Sequence, residues 1–157
     1  MEEHLRKPST SQTLLVEKLL RVEYERFVLV GRLDRVDERP DGSLEIVDYK
    51  SGRGAIAPQD VAADLAMNCY QLLLSKAYPA RDIVTTIVAL RTGASASASL
   101  NPTQLAEFET DLEKLGDQIV TDELFDRVPR LKPLCRTCDF LPLCRRHPDF
   151  DDDAKNW

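Results

Sequence analysis

The chain has 157 residues, of which 43% are hydrophobic and 31% are charged, a composition typical of a folded globular domain. Lys and Arg number 21 against 27 Asp and Glu, so the formal charge of −6 excludes a protein that holds nucleic acid by bulk positive charge. That balance still permits an enzyme that acts on nucleic acid through metal-binding carboxylates. Apolar runs are only a few residues long and the N-terminus has no signal-peptide pattern. We therefore expect a cytoplasmic protein without a membrane partner.

Three strands are predicted in the first third of the chain. Residues 1–12 are mostly polar and are expected to form a disordered or frayed end. The Pro-Asp-Gly-Ser sequence at 40–43 predicts a turn, because Pro presets one dihedral angle and Gly tolerates positive φ. This turn pairs the second and third strands antiparallel. The expected strands are Thr13–Tyr24 (with a short helix over 14–20 as the alternative), Phe27–Asp37 and Leu44–Tyr49.

The remaining chain predicts helices around one further strand. A largely buried helix is expected from Pro58 to about Ala77, and a β-branched run predicts a central strand over 83–90. The small residues 94–99 are expected to form a loop, and Asn101 or Thr103 would cap a helix ending near Thr121. This order predicts an α/β fold with a mixed sheet. The expected divisions are a core over 13–128, a cysteine knuckle over 129–148 and an acidic tail over 149–157.

A carboxylate–lysine group lies at the end of the third predicted strand. Asp48 and Lys50 are two residues apart, so their side chains share one face, and Asp34 lies near the same level of the partner strand. Close carboxylates repel unless a divalent cation lies between them, and Mg²⁺ accepts one or two protein carboxylates while keeping water and phosphate ligands. The lysine would either help to deprotonate water or stabilise charge on phosphorus. The alternative is an ordinary surface hairpin, since Asp-x-Lys is common by chance.

The two aspartates can converge only if the hairpin register places them on one face. A two- or four-residue loop around Asp41-Gly42 would set Asp34 opposite Tyr49. We therefore predict a three- or five-residue loop, or a bulge near the aspartates.

Residues 31–37 (GRLDRVD) and 47–52 (VDYKSG) resemble the signature of the RecB-like branch of the PD-(D/E)XK nuclease superfamily. The resemblance covers about residues 13–147 and implies a restriction-endonuclease-like core. It further implies a Mg²⁺- or Mn²⁺-dependent DNA exonuclease that serves DNA repair or recombination with a helicase subunit or domain. In the family's roles, Asp34 and Asp48 would be catalytic metal ligands, Lys50 the catalytic lysine, and Tyr49 a ligand through its backbone carbonyl. Gln71 would contact DNA or position the site.

Several positions depart from the family pattern. The tyrosine expected four residues after Gln71 is Ser75, and Tyr78 is a possible substitute. Asp37 is interpreted as a hairpin or salt-bridge residue, and Glu17 matches a frequent acid of the first strand. Complete members carry a helix before that strand, with a His or Glu that finishes the metal site, whereas here the only histidine nearby is His4. We therefore expect part of a longer nuclease or a trimmed member. The alternative is a catalytically impaired DNA-binding or assembly module.

Three cysteines lie within ten residues, at Cys135, Cys138 and Cys144. This spacing predicts thiolates around one soft metal. In the RecB-like branch it resembles the last three ligands of a 4Fe-4S cluster, and a local alternative is Zn²⁺ held with His147. We expect these thiols to converge while Cys69 stays in the helix core. The arginines of this segment are possible DNA contacts: Arg136, Arg145 and Arg146.

Overall fold

Five strands form one mixed sheet in the first of two compact units of the chain, Met1–Val120 and Thr121–Trp157. The computed structural model describes residues 11–52, 54–121 and 129–151. Residues 1–10 of the end predicted to be frayed, including His4, lie outside the described residues. Residues 152–157 of the acidic tail also lie outside them. The strands, in spatial and sequence order, are β1 (Gln12–Glu23), β2 (Val28–Glu38), β3 (Leu44–Lys50), β4 (Ile83–Ala89) and β5 (Ser95–Ala98).

The sheet is antiparallel except at its centre. β1–β2, β2–β3 and β4–β5 pair antiparallel, while β3 and β4 run parallel. A parallel pair needs a long crossover, and here that connection carries two helices, α1 (Pro58–Ala62) and α2 (Leu65–Ala77). The predicted α/β fold with a mixed sheet is therefore confirmed.

The prediction of a loop over 94–99 is wrong, because residues 95–98 form β5. Ala96 and Ala98 pack against the core, while Ser97 lies on the other face and bonds the Thr86 hydroxyl at 2.8 Å. Small residues have weak strand propensity, so burial against β4 decides this strand and local sequence does not.

The single helix expected over 58–77 is divided at Asp64. The Asp64 side chain accepts hydrogen bonds from the backbone N–H groups of Ala66 and Met67, at 3.1 and 3.2 Å. These bonds cap α2 and account for the new helix start.

The core lies between one face of the sheet and the two crossover helices. Its fully or nearly buried members come from β2, β3, β4, α1 and α2: Leu33, Val36, Leu44, Ile46, Val61, Met67, Leu74, Ile83 and Ile87. Such burial removes apolar surface from water and is the main stabilising term of the fold.

A long helix, α3 (Pro102–Thr121), follows the sheet. Asn101 caps it by accepting from the Gln104 N–H, and the Gln104 side chain accepts from the Asn101 N–H in return, at 2.9 and 3.0 Å. Glu109 of this helix accepts hydrogen bonds from Tyr24 and Lys76. None of the described helices is both long and apolar enough to cross a membrane.

The second unit contains a 3-10 helix, Pro133–Thr137, and a short helix α4, Leu141–Cys144. Leu141 is its one buried residue among those described, while Leu134 and Phe140 are largely exposed. Apolar burial therefore contributes little to this segment.

Candidate active site

The β2–β3 hairpin brings Asp34 and Asp48 to the same level of the sheet. Its paired residues run from Glu38–Leu44 to Arg35–Val47, so one further step along both strands sets Asp34 opposite Asp48. The connection is a five-residue loop over 39–43, closed by an Arg39 N–H to Ser43 carbonyl bond of 2.9 Å. The prediction of an odd-length loop is confirmed.

The Asp34 carboxylate lies where β2 and β3 separate. The paired ladder ends at Arg35–Val47, and two residues further along β3 the Tyr49 N–H donates to Asp34 Oδ2 at 3.1 Å. A side chain thus takes a hydrogen bond that a neighbouring strand's carbonyl would normally accept. The separation of β2 from β3 therefore begins beside both aspartates.

Asp48 is a buried carboxylate in contact with Lys50. Asp48 is 5% exposed, and Lys50 Nζ lies 2.8 Å from its Oδ2. The contact is an ion pair, and none of the described residues gives Oδ2 a well-aligned hydrogen bond. Partial burial of Lys50 lowers its pKa, but the contact with Asp48 and the attraction of Asp48 and Asp64 outweigh burial and raise it.

Tyr70 of α2 lies close enough to these charged side chains to interact with them. Burial raises the pKa of the Tyr70 phenol, Asp48, Asp34 and Asp64 raise it further, and Lys50 opposes them. The Tyr70 ring packs against Gly31, where an added Cβ would lie 3.1 Å from it. Sequence reasoning missed Tyr70 and Asp64, because it located α2 but not the face of α2 that meets the aspartates.

Gln71 lies inside the fold and serves the backbone. It is 4% exposed, its Nε2 donates to the Leu100 carbonyl at 2.8 Å, and its Oε1 accepts from the Leu100 N–H at 2.9 Å. This arrangement suits the predicted positioning role, since a direct contact with DNA would require both bonds to break. Ser75 bonds the Leu72 carbonyl, and Tyr78 is a half-buried residue at the end of α2.

Asp37 and Glu17 each pair with an arginine. Asp37 accepts from Arg35 Nε at 2.7 Å, which confirms the salt-bridge interpretation. Glu17 lies 3.2 Å from Arg32 Nε, and its φ of 49° lies in the left-handed region that non-glycine residues rarely adopt. Glu17 and Asp34 are not paired in the β1–β2 ladder, although the residues on either side of them are.

The residues at this edge fit a hard divalent cation. Two carboxylates and a nearby carbonyl, that of Tyr49, are oxygen donors of the kind that Mg²⁺ and Mn²⁺ take, and the buried Asp48 Oδ2 lacks an aligned donor. Within the described ranges no group of three or more His, Cys, Asp or Glu side chains lies close enough to hold a metal. Among the described residues, no third carboxylate, imidazole or thiolate therefore joins Asp34 and Asp48.

The expected convergence of the knuckle cysteines is not found. Cys135 Sγ accepts from the Lys132 N–H at 3.3 Å, Cys138 is exposed, and Cys144 ends α4. These thiols form no three-donor group with His147, whose Nδ1 accepts from the Asp149 N–H. The physical reason is that such segments are drawn together by the metal itself, as binding and folding are coupled. The arrangement does not fit a 4Fe-4S or Zn²⁺ centre as it stands.

Cys69 lies in α2 of the first unit, half-buried and free. Burial raises the pKa of its thiol. It behaves as a small packing residue.

The chain belongs to the PD-(D/E)XK nuclease superfamily, whose family model matches residues 1–145. The restriction-endonuclease-like fold and the site described above agree with this membership. Among solved structures, the chain is similar to that titled "Crystal structure of SSO0001", with 17% identity and a TM-score of 0.39. That alignment covers 93% of this chain and 66% of the other. No curated protein matches the chain significantly.

Proposed function

We propose that this chain is a Mg²⁺- or Mn²⁺-dependent DNA nuclease domain that hydrolyses phosphodiester bonds. The observation that carries the proposal is the joint placement of Asp34, Asp48 and Lys50 at the point where β2 and β3 separate. Superfamily membership supports nuclease chemistry in general, and this group of side chains offers the metal-binding carboxylates and the lysine for that chemistry.

Asp34, Asp48 and the Tyr49 carbonyl would hold the cation. When bound, the ion supplies Lewis-acid activation of water and neutralises phosphate charge. Lys50 would stabilise negative charge on the phosphate, a role that fits its contact with Asp48 and the rise in its pKa that this contact causes. Tyr70 offers a phenol beside the same charges and would orient the substrate phosphate or a water molecule.

The finer assignments follow the RecB-like motifs. We propose exonucleolytic cleavage in DNA repair or recombination, in the cytoplasm and beside a helicase. Arg136, Arg145 and Arg146 would contact phosphates from the second unit. The cysteine segment takes no part in the proposed chemistry.

A second candidate function is a catalytically impaired DNA-binding or assembly module. It is favoured by one observation: the described residues contain no third metal-binding side chain beside Asp34 and Asp48. Such a module would bind DNA without cutting it.

Cleavage of linear and closed circular DNA by the full chain, with Mg²⁺ or Mn²⁺, tests the proposal. Linear DNA should be degraded and closed circles spared, and Asp48→Asn and Lys50→Ala should each reduce the rate at least about a hundredfold. Asp111→Asn is the matched control, because this exposed carboxylate on α3 lies far along the chain from the site and pairs with Lys114. Metal-dependent binding without cleavage would favour the second candidate, and cleavage unaffected by both active-site variants would refute the first.

A further inference from the structure

An open cleft of about 510 Å³ adjoins the candidate site. Tyr49 lies between Asp48 and Lys50 in β3, so its side chain points to the face of the sheet opposite theirs. Arg35 of β2 lies opposite Val47 and shares that face with Tyr49. The cleft is lined by Thr13, Val16, Glu17, Asp34, Arg35 and Tyr49. Asp34 thus lines the cleft and also lies at the point where β2 and β3 separate.

Arg35 is held in a fixed orientation in this cleft. Its Nε donates to Asp37 Oδ1 at 2.7 Å, and Asp37 is 5% exposed, so this bond is shielded from water. The Arg35 side chain keeps 34% exposure. The Asp37 bond raises the pKa of the guanidinium, burial opposes it, and the Tyr49 phenol adds to the rise. One edge of the guanidinium is therefore committed to Asp37, and the Tyr49 phenol is close enough to interact with the guanidinium.

We propose that Arg35 and Tyr49, with the Thr13 hydroxyl, bind a non-scissile phosphate of a DNA strand whose scissile phosphate lies at Asp34 and Asp48. The inference rests on the proposed function and deepens it by assigning a subsite. A guanidinium already oriented by a buried carboxylate is suited to a phosphate, because it donates several parallel hydrogen bonds without losing further side-chain entropy.

The acidic side chains of the cleft set a condition on this binding. Glu17 is paired with Arg32, whereas the Asp34 carboxylate accepts a hydrogen bond from the uncharged Tyr49 N–H. A strand phosphate beside Asp34 is repelled until a cation occupies the site. Binding at the subsite should therefore require a divalent ion, and Ca²⁺ serves as the probe because it allows binding to be measured without cleavage.

The variants must separate the subsite from folding. Arg35→Gln alone would leave Asp37 buried and unpaired, so Arg35→Gln is combined with Asp37→Asn. Tyr49→Phe removes the phenol oxygen and preserves the backbone carbonyl and the ring. Arg21→Gln is the matched control, since Arg21 is an exposed arginine of the same β1–β2 hairpin, paired with Glu23 outside the cleft.

Binding of a fluorescent single-stranded oligonucleotide is measured by anisotropy with Ca²⁺ at several salt concentrations. The Arg35→Gln/Asp37→Asn protein should bind about tenfold more weakly and Tyr49→Phe a few-fold more weakly, while Arg21→Gln binds as the wild type does. In the double variant, the slope of the logarithm of the binding constant against the logarithm of the salt concentration should fall by about one, the value expected for the loss of one phosphate contact. Equal losses in the double variant and Arg21→Gln, or tight binding of the wild type without Ca²⁺, would overturn the subsite.

Oligonucleotides with one neutral methylphosphonate linkage locate the phosphate. At one linkage the substitution should weaken wild-type binding and have no further effect on the double variant. Equal effects in both proteins at every linkage would overturn the proposal even if the double variant folded poorly. This scan also separates the two proposals. If one linkage is sensitive in the wild type alone but the wild type does not cleave DNA, only the nuclease proposal is refuted. If the wild type cleaves DNA, Tyr49→Phe has an unchanged KM and no linkage is sensitive in the wild type alone, only the subsite is refuted.

Discussion

Gln71 and Leu100 are joined by two hydrogen bonds that use both ends of the Gln71 amide, at 2.8 and 2.9 Å. The Gln71 amide pairs with the Leu100 N–H and carbonyl as the backbone of a neighbouring strand would. Leu100 lies between β5 and α3. Because these backbone groups have no neighbouring strand, Gln71 links α2 to the segment that starts α3.

The first prediction concerns this link. Gln71→Leu keeps the volume but leaves the Leu100 backbone unpaired, so the free energy of unfolding should fall by about 2 kcal/mol or more. Urea denaturation measures the loss. Gln59→Leu, at an exposed position of α1, is the control and should change stability by less than about 0.5 kcal/mol. A Gln71→Leu protein of normal stability but weak DNA binding would instead indicate a direct contact with DNA.

Much of the candidate site follows from sequence because its residues are close along the chain. The spacing of Asp48 and Lys50 determines that they share a face, and the five-residue loop then brings Asp34 to Asp48. Tyr70 could not be found in this way, since the rotation of α2 against the sheet depends on packing at Gly31. The strand β5 was missed for a similar reason, because its alanines gain stability only when buried against β4.

The second prediction concerns metal binding by the carboxylates. Mn²⁺ that binds the native protein alone should raise its stability by RT ln(1 + [Mn²⁺]/Kd), about 1.4 kcal/mol at a tenfold excess over Kd. Asp34→Asn and Asp48→Asn should lose this increase while remaining folded, as each substitution preserves side-chain volume. Thermal unfolding with increasing Mn²⁺ measures the shift, with Asp111→Asn as the control. An equal shift in all four proteins would place the ion elsewhere.

The third prediction concerns the close contact of α2 with β2. A Cβ at residue 31 would lie 2.6 Å from the Leu73 side chain and 3.1 Å from the Tyr70 ring, so Gly31→Ala must displace α2 or these side chains. Such overpacking costs about 1–3 kcal/mol. We expect a matching loss in urea denaturation and a larger loss of cleavage than stability alone explains, because Tyr70 moves relative to Asp48. Gly52→Ala, which meets no atom within 4 Å, is the control. A Gly31→Ala protein of wild-type stability would mean that the helix adapts freely.

The fourth prediction concerns the thiols and their dependence on pH. The thiolate is the reactive form, and burial raises the pKa of Cys69, so Cys69 carries less thiolate than an ordinary cysteine at neutral pH. Its reaction with a disulfide reagent should be slow at neutral pH. The rate should rise at a higher pH than the rate of an exposed thiol, whose pKa is about 8.5. Cys138 is exposed and should react quickly. Cys69→Ser should remove the slow phase alone, and a slow phase that persists in this variant would belong to another thiol.

The same thiol measurement decides the state of the knuckle. In the arrangement described, Cys135, Cys138 and Cys144 are free, with Cys138 exposed and the other two partly exposed, so all three should react faster than Cys69, whose pKa is raised by burial. A bound metal would protect the three and leave Cys69 reactive. Anaerobically purified protein is therefore assayed together for iron, sulfide, zinc and visible absorbance. Brown protein with iron, unaffected by His147→Ala, would indicate the cluster, and colourless protein with zinc that is lost in His147→Ala would indicate the local site. Either result would show that the metal draws these cysteines out of the separated arrangement, whereas four reactive thiols without metal would agree with it.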